Sequence, residues 1–229
     1  MPKFIAAFGF LLLFSAGASS QQLKQITFAN ASTLSWFTFT TDQDVLVRVS
    51  EEGKILEYGS EVASERANNY FSPKLQPYMG RVDFYGTEAD TLNKGKIKSI
   101  GTCYITYYPA SEVEEKRGKI KAIGRSALDY YTRFDNPALK GKLRIAGSYN
   151  LDYYPQTENE AIRGKLKTVG ITRIAYNSSF DDKMIQGKIK SIGSAAYIWG
   201  TSLDAKGYAG ALKTGQYRQN VDGITYILR

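Results

Sequence analysis

Gly-Lys-Ile-Lys-Ser-Ile-Gly at 95–101, followed by Thr-Cys-Tyr-Ile-Thr-Tyr-Tyr at 102–108, decides how this chain is read. The same pattern returns at 118–124, 141–147, 164–170 and 187–193, each copy starting 23 residues after the last. Gly210 opens a worn copy on the next multiple, and Ser72 marks a degenerate earlier one whose second half, Val82-Asp83-Phe84-Tyr85, is still clear. Good copies flanked by poor ones are what an array shows when its terminal units act as caps.

Within one unit, the run from Lys96 to Ile100 reaches Gly101, and a second run from Tyr104 to Tyr108 ends at Pro109 and a polar stretch through Arg117. Both alternate and are rich in Ile, Tyr and Thr, so each repeat predicts one β-hairpin. A three-residue turn, Gly101-Thr102-Cys103, would set Ile100 against Tyr104 and Ile97 against Tyr107. One face then carries Ile97, Ser99, Ile105 and Tyr107, and the other carries Lys96, Lys98, Ile100, Tyr104, Thr106 and Tyr108. A two-residue turn scatters lysine and isoleucine over both faces, because a one-residue slip exchanges them. The longer turn also sets Lys121 opposite Asp129 and Arg144 opposite Asp152, a cross-strand charge pattern that stabilises sheets. The expected core is Ile97, Ile105, Tyr107, Ile120, Leu128, Tyr130, Leu143, Leu151, Tyr153, Leu166, Ile174 and Tyr176.

Working outward, residues 21–71 form an N-terminal β segment continuous with the repeats of 72–229. Ile26–Asn30, Ser35–Thr40 and Val45–Val49 alternate as strands do, and the last turns tightly through Glu51, Glu52 and Gly53 into Lys54–Gly59. A short helix is expected between Ser60 and Asn69, with Ser60 as its cap. At the start, Lys3 precedes an apolar run from Phe4 to Phe14 and a small-residue stretch from Ser15 to Ser20. That is the pattern of a signal peptide over 1–20, cut to leave Gln21, because the apolar run is too short to cross a bilayer. The protein is therefore expected to be exported, to the periplasm, the envelope or the medium. No cysteine stands near the cut to take a lipid.

The single cysteine, Cys103, excludes an intramolecular disulfide and reads as a small apolar filler. The complete absence of histidine removes Ser-His and Cys-His nucleophile pairs and the usual zinc sets, so no metal site and no cofactor is expected. No nucleophile elbow, phosphate loop or dinucleotide fingerprint is present. Paired carboxylates can run glycoside chemistry without histidine, and Asp181-Asp182, Glu114-Glu115 and the Asp83, Asp129, Asp152 column are the candidates. The adjacent pairs fall in loops and the column repeats with the hairpin, as ion pairing does, so the chain reads as non-enzymatic.

Without Lys3 the chain keeps 29 basic against 22 acidic side chains. This excess favours anionic partners, lipid headgroups or acidic polysaccharide, with no specific nucleic acid expected. The repeats arrange it: Lys96 and Lys98, Lys119 and Lys121, Lys142 and Arg144, Lys165 and Lys167, and Lys188 and Lys190 recur in step. Side-by-side hairpins would set equivalent lysines about 9–10 Å apart, as a basic stripe. Tyr108, Tyr131 and Tyr154 would flank it as an outward aromatic column able to stack on sugars or sit at a membrane interface. The competing reading is a purely structural or protein-interaction module, in which lysine stems only shield a sheet face.

The Gly-Lys-Ile-Lys-Ser-Ile-Gly run with Ile-Thr-Tyr-Tyr behind it resembles the repeats of exported proteins of Bacteroidetes-type bacteria. More loosely it resembles the hairpin repeats of bacterial β-flower proteins, shallow barrels similar in shape to tubby-like and scramblase domains. The likeness covers 72–215, and it implies lipid or membrane-surface association with no catalytic residues to carry over. An open sheet of about fourteen short strands exposes two edges and an apolar face, so the expected fold is all-β, a closed or nearly closed antiparallel barrel. An open β-hairpin solenoid is the alternative. An outer-membrane barrel ranks below both, since its strands need about 9–11 residues.

Overall fold

The structure is a computed structural model that describes residues 22–61 and 74–229. The leader expected over 1–20 and most of the helix expected after Ser60 lie outside the described residues.

The expected N-terminal strands form as β1 (Gln22–Ala29), β2 (Thr33–Thr40), β3 (Leu46–Val49) and β4 (Ile55–Ser60). After β5 (Gln76–Pro77), the repeats supply β6 (Val82–Phe84), β7 (Ile97–Ile100), β8 (Cys103–Tyr107), β9 (Ile120–Ile123), β10 (Ser126–Tyr130), β11 (Leu143–Ala146) and β12 (Tyr149–Tyr153). They continue through β13 (Leu166–Val169), β14 (Thr172–Tyr176), β15 (Ile189–Ile192), β16 (Ala195–Ala196), β17 (Ile198–Trp199) and β18 (Leu212–Thr214). Finally β19 (Arg218–Val221) and β20 (Ile224–Leu228) return to the N-terminal sheet, where β20 runs parallel to β1. The molecule is all-β.

Two large sheets share one core. The seven-stranded sheet has the order β19-β20-β1-β2-β3-β4-β5, and the eleven-stranded one runs in unbroken sequence from β6 to β16. Leu23, Ile26, Phe28, Phe37, Phe39, Val47 and Val49 from the first pack in a single cluster with the buried Ile, Leu and Tyr of the hairpins. Neither sheet closes on itself, so the closed barrel expected from sequence is not what the hydrogen bonds form. The seven-stranded sheet does the work closure would have done, because it supplies the apolar surface that the hairpins cover.

The hairpin register corrects the expectation. Ile100 pairs with Cys103 and Ser99 with Tyr104, so the turn is the two residues Gly101 and Thr102. The same tight turn recurs between Ile123 and Ser126, Ala146 and Tyr149, Val169 and Thr172, and Ile192 and Ala195. Its first residue is always a glycine at positive φ, from 54° to 63°, which is the conformation a type II′ hairpin turn demands there. Lys121 is therefore not opposite Asp129, and Arg144 is not opposite Asp152.

What rescues the amphipathic pattern is a bulge. Between successive hairpins, Thr106 pairs with Ala122 but Tyr107 pairs with Ile120, leaving Lys121 as the extra residue. The same step leaves out Lys98, Arg144, Lys167, Lys190 and Lys213 in the other units. An inserted residue lets two positions three apart point the same way. Ile120 and Ile123 are thus both fully buried, as are Leu143 and Ala146 and Ile189 and Ile192. Ile100, expected on the polar face, is in the core, while the expected core residues from Ile105 onward are buried except for the half-buried Tyr107.

This register makes Ile123→Ala a test, since the three-residue turn would place Ile123 on the polar face. Truncating a fully buried isoleucine should cost about 2–5 kcal/mol, read from the denaturation midpoint. A midpoint unchanged from the parent would contradict the bulged register.

Candidate functional site

The ten basic residues of the repeats divide into two columns with different surroundings. In the first, each lysine reaches along the array to the glycine that opens the next unit. Lys96 Nζ donates to the carbonyl of Gly118 at 2.5 Å, Lys119 to Gly141 at 2.5 Å, and Lys142 to Gly164 at 2.8 Å. Lys165 donates to Gly187 at 2.6 Å and Lys188 to Gly210 at 2.5 Å. Each ammonium also lies over an aromatic ring of its own hairpin, Tyr107, Tyr130, Tyr153, Tyr176 or Trp199, at 4.7–5.0 Å from the centroid. Those rings are tethered too. Tyr107, Tyr130, Tyr153 and Tyr176 donate their hydroxyls, and Trp199 its indole N–H, to the carbonyl ten residues back, at 2.6–3.0 Å.

Burial lowers the pKa of Lys96, Lys119 and Lys188, and pushes Lys165 down to about 8. Lys165 is further enclosed by Ser32, whose Oγ is 2.6 Å from Nζ and itself donates to Gly187 O at 2.7 Å. Lys142 is met by the Glu51 carboxylate at 3.0 Å, a group whose own pKa burial raises against the pull of Lys142. The first column therefore holds hairpins together.

The tyrosines expected to face outward behave likewise. Tyr108 donates to Leu128 O at 3.1 Å, Tyr131 to Leu151 O at 2.9 Å and Tyr154 to Ile174 O at 2.9 Å, each reaching the next hairpin. Their rings meet Tyr130, Tyr153 and Tyr176 edge-on at 6.0–6.2 Å. Tyr154 is buried, and burial, helped by Asp129, pushes the Tyr108 phenol up to about 12. The free stacking column expected from sequence is not formed. Alternation gives one member of a Tyr-Tyr doublet to solvent, but the strand ends at the first tyrosine, which frees the second to turn inward.

The second column is what the bulges turn outward. Lys121 and Lys190 are exposed, Lys98 is half-buried over Tyr85, and Lys121 lies 5.9 Å from the Tyr108 ring. Arg144 bridges Asp129 at 2.5 Å and Asp135 at 2.9 Å, and Lys167 is 3.9 Å from Asp152. Lys213 occupies the same bulge position, a sixth member that sequence reading missed although 23-residue counting from Lys190 reaches it; it pairs with Asp204 at 2.7 Å.

The carboxylates considered for catalysis serve the loops. Asp181 accepts from the N–H and hydroxyl of Ser178, Asp182 from the N–H groups of Met184 and Ser202, and Glu114 and Glu115 from Arg133. Burial opposes the charge of Asp129, but Lys116 and Arg144 overcome it and hold its pKa below the usual value. Among the described residues no group of three His, Cys, Asp or Glu side chains could hold a metal ion. Cys103 is buried and its thiol is pushed up to about 11 by burial, as a packing residue requires.

Lys165 gives a pH signature. The native state releases its proton near 8, whereas the unfolded chain keeps it to the ordinary 10.5. Between those values the unfolded state binds more protons, so this residue's contribution to stability rises with pH there and is flat below. The stability difference between the parent and Lys165→Met should move in the parent's favour from pH 8 to 10.5. A difference independent of pH across that window would contradict the enclosed ammonium.

Comparison with protein-family models, with curated proteins and with solved structures gives no match.

Proposed function

We propose that this is a non-enzymatic, exported envelope protein that binds an anionic surface, lipid headgroups or acidic glycan, through its outward bulge cations. The observation that carries the reading is the recurrence of the bulge, which turns Lys98, Lys121, Arg144, Lys167, Lys190 and Lys213 out of the sheet. Equivalent positions on alternate strands stand about 9–10 Å apart, comparable to the Debye length of about 10 Å at 0.1 M salt. Arg144, Lys167 and Lys213 face carboxylates, which leaves Lys98, Lys121 and Lys190 as the cations best placed to meet an external anion. The leader pattern at 1–20 and the resemblance to β-flower repeats support the same reading. So does the net formal charge of +8.

The structural reading is favoured by a separate observation: the first column, Lys96 to Lys188, and Tyr108, Tyr131 and Tyr154 are engaged between hairpins. Adsorption to an anionic surface therefore involves at most the second column.

Each basic residue near an anionic bilayer contributes about 1 kcal/mol, so replacing Lys98, Lys121 and Lys190 together by glutamine should weaken partitioning roughly 100-fold at low salt. Co-sedimentation with phosphatidylserine-containing vesicles, and retention on an acidic polysaccharide, measure it. Adsorption of the parent should also fall as salt rises. If parent and triple variant adsorb alike at every salt concentration, the array is a structural module.

A further inference from the structure

Two hairpins of the array are finished by loops of the N-terminal sheet. The N–H of Leu143, next to Lys142, donates to Glu51 O at 2.8 Å while the Glu51 carboxylate meets Lys142. The N–H of Ile189, next to Lys188, donates to Ala31 O at 2.8 Å, and Ser32 meets Lys165. Beside the Lys142 place, on the neighbouring strand, Gly53 comes down on Tyr130, so close that a Cβ there would stand 2.0 Å from its hydroxyl oxygen. At Lys142 a notch made by the repeat's lysine, the N–H that follows it and the Tyr153 ring thus receives both the carbonyl and the carboxylate of one loop residue, whereas beside Lys188 only the N–H of Ile189 meets a loop carbonyl and Ser32 reaches the lysine of the preceding unit.

The first hairpin has the same parts, and among the described residues no carboxylate forms an ion pair with its lysine, Lys96. A cavity of about 250 Å³ opens where Lys96, Ile97 and Tyr107 face Lys54 and Ile55. Ile97 and Tyr107 are only half-buried, whereas their counterparts Ile120, Leu143, Leu166 and Ile189 are at most 1 % exposed and Tyr130, Tyr153 and Tyr176 at most 7 %. Gly95, at the rim, has no atom within 4 Å of where a Cβ would stand. Lys96 uses two of its three donors on Gly118 O and on Asn93 Oδ1 at 3.1 Å, and Lys54 is exposed.

We propose that this cavity binds an acidic peptide loop of a partner protein in the way the Lys142 notch binds Glu51. A glutamate carboxylate would sit between Lys54 and Lys96, its methylene stem against Ile55, Ile97 and the Tyr107 ring. The carbonyl of that same glutamate would accept from the N–H of Ile97, as Glu51 O accepts from Leu143. The volume suits one such residue and its backbone, and two ammonium groups beside an apolar wall match a carboxylate on a short stem. This site is distinct from the outward bulge cations and does not depend on them.

The probe is the protein's own turn sequence, Ser-Glu-Glu-Gly-Lys, acetylated and amidated, titrated into the isotope-labelled protein and followed by amide NMR. Saturable shifts centred on Gly95, Ile97 and Tyr107 are expected. They should vanish with Ser-Gln-Gln-Gly-Lys and weaken about tenfold in Lys54→Glu, an exposed site where the fold is not at risk. No saturable shift at millimolar peptide, an equal response to the glutamine peptide, or an unaltered affinity in Lys54→Glu would overturn the proposal. Free glutarate binding as tightly as the peptide would overturn the peptide assignment in favour of a small carboxylate. Anionic vesicles should leave these resonances unmoved, so failure of the surface reading and failure of this one are separable.

Discussion

A lysine ammonium held between an aromatic ring and the carbonyl of the next repeat's glycine is the contact on which this array depends. The hairpins are built from strands of four and five residues, such as β9 and β10, and a lone two-stranded hairpin of that size is marginal in water. Neighbours must therefore supply the stability, as in other repeat proteins. Backbone ladders do part of this, and the apolar core does more. The lysine adds a bond that runs 22 residues along the chain, from one unit to the start of the next. Partial burial of a charge is costly unless it is hydrogen-bonded. Here the carbonyl and the ring π-face both stabilise it, and a cation over a desolvated ring is worth about 0.5–2 kcal/mol.

The bulge and this contact are two parts of one device. Because the bulge inserts a residue after Ile97, Ile120 and their equivalents, both ends of a four-residue strand face inward. The lysine before the bulge points along the inner wall and the one that forms the bulge points out. Two lysines a single residue apart would share a face in a regular strand; here they differ in partners and in role. The turns of the N-terminal sheet then complete the inner wall, with Glu51 and Ser32 reaching Lys142 and Lys165.

The period, the hairpins, the all-β class and most of the core were legible because apolar residues recur every 23 positions. The face of Ile100 was not, and the reason is physical. A period-two reading cannot register an inserted residue, so two isoleucines three apart look like opposite faces. A longer turn was then the simplest repair, and it also gave plausible charge pairs for Lys121 and Arg144. The spacing of Ile97 and Ile100 around an intervening lysine, repeated in each unit, was the sign of a bulge. For the candidate site, composition showed which residues were basic and periodic, but not that Lys119 and Lys121 would diverge. The inward turn of Tyr108, Tyr131 and Tyr154 depends on carbonyls 20 residues ahead, which no local pattern reports.

The division of labour between neighbouring lysines is most directly tested by comparing Lys119→Met with Lys121→Met in chemical denaturation. Methionine keeps most of the apolar stem at both sites and removes only the ammonium. Lys119→Met should lower stability by about 1.5–3 kcal/mol, as loss of a charge-assisted hydrogen bond in a partly buried setting does. Lys121→Met should stay within about 0.5 kcal/mol of the parent, as an exposed substitution does. Equal losses at the two positions, or the larger loss at Lys121, would contradict the account.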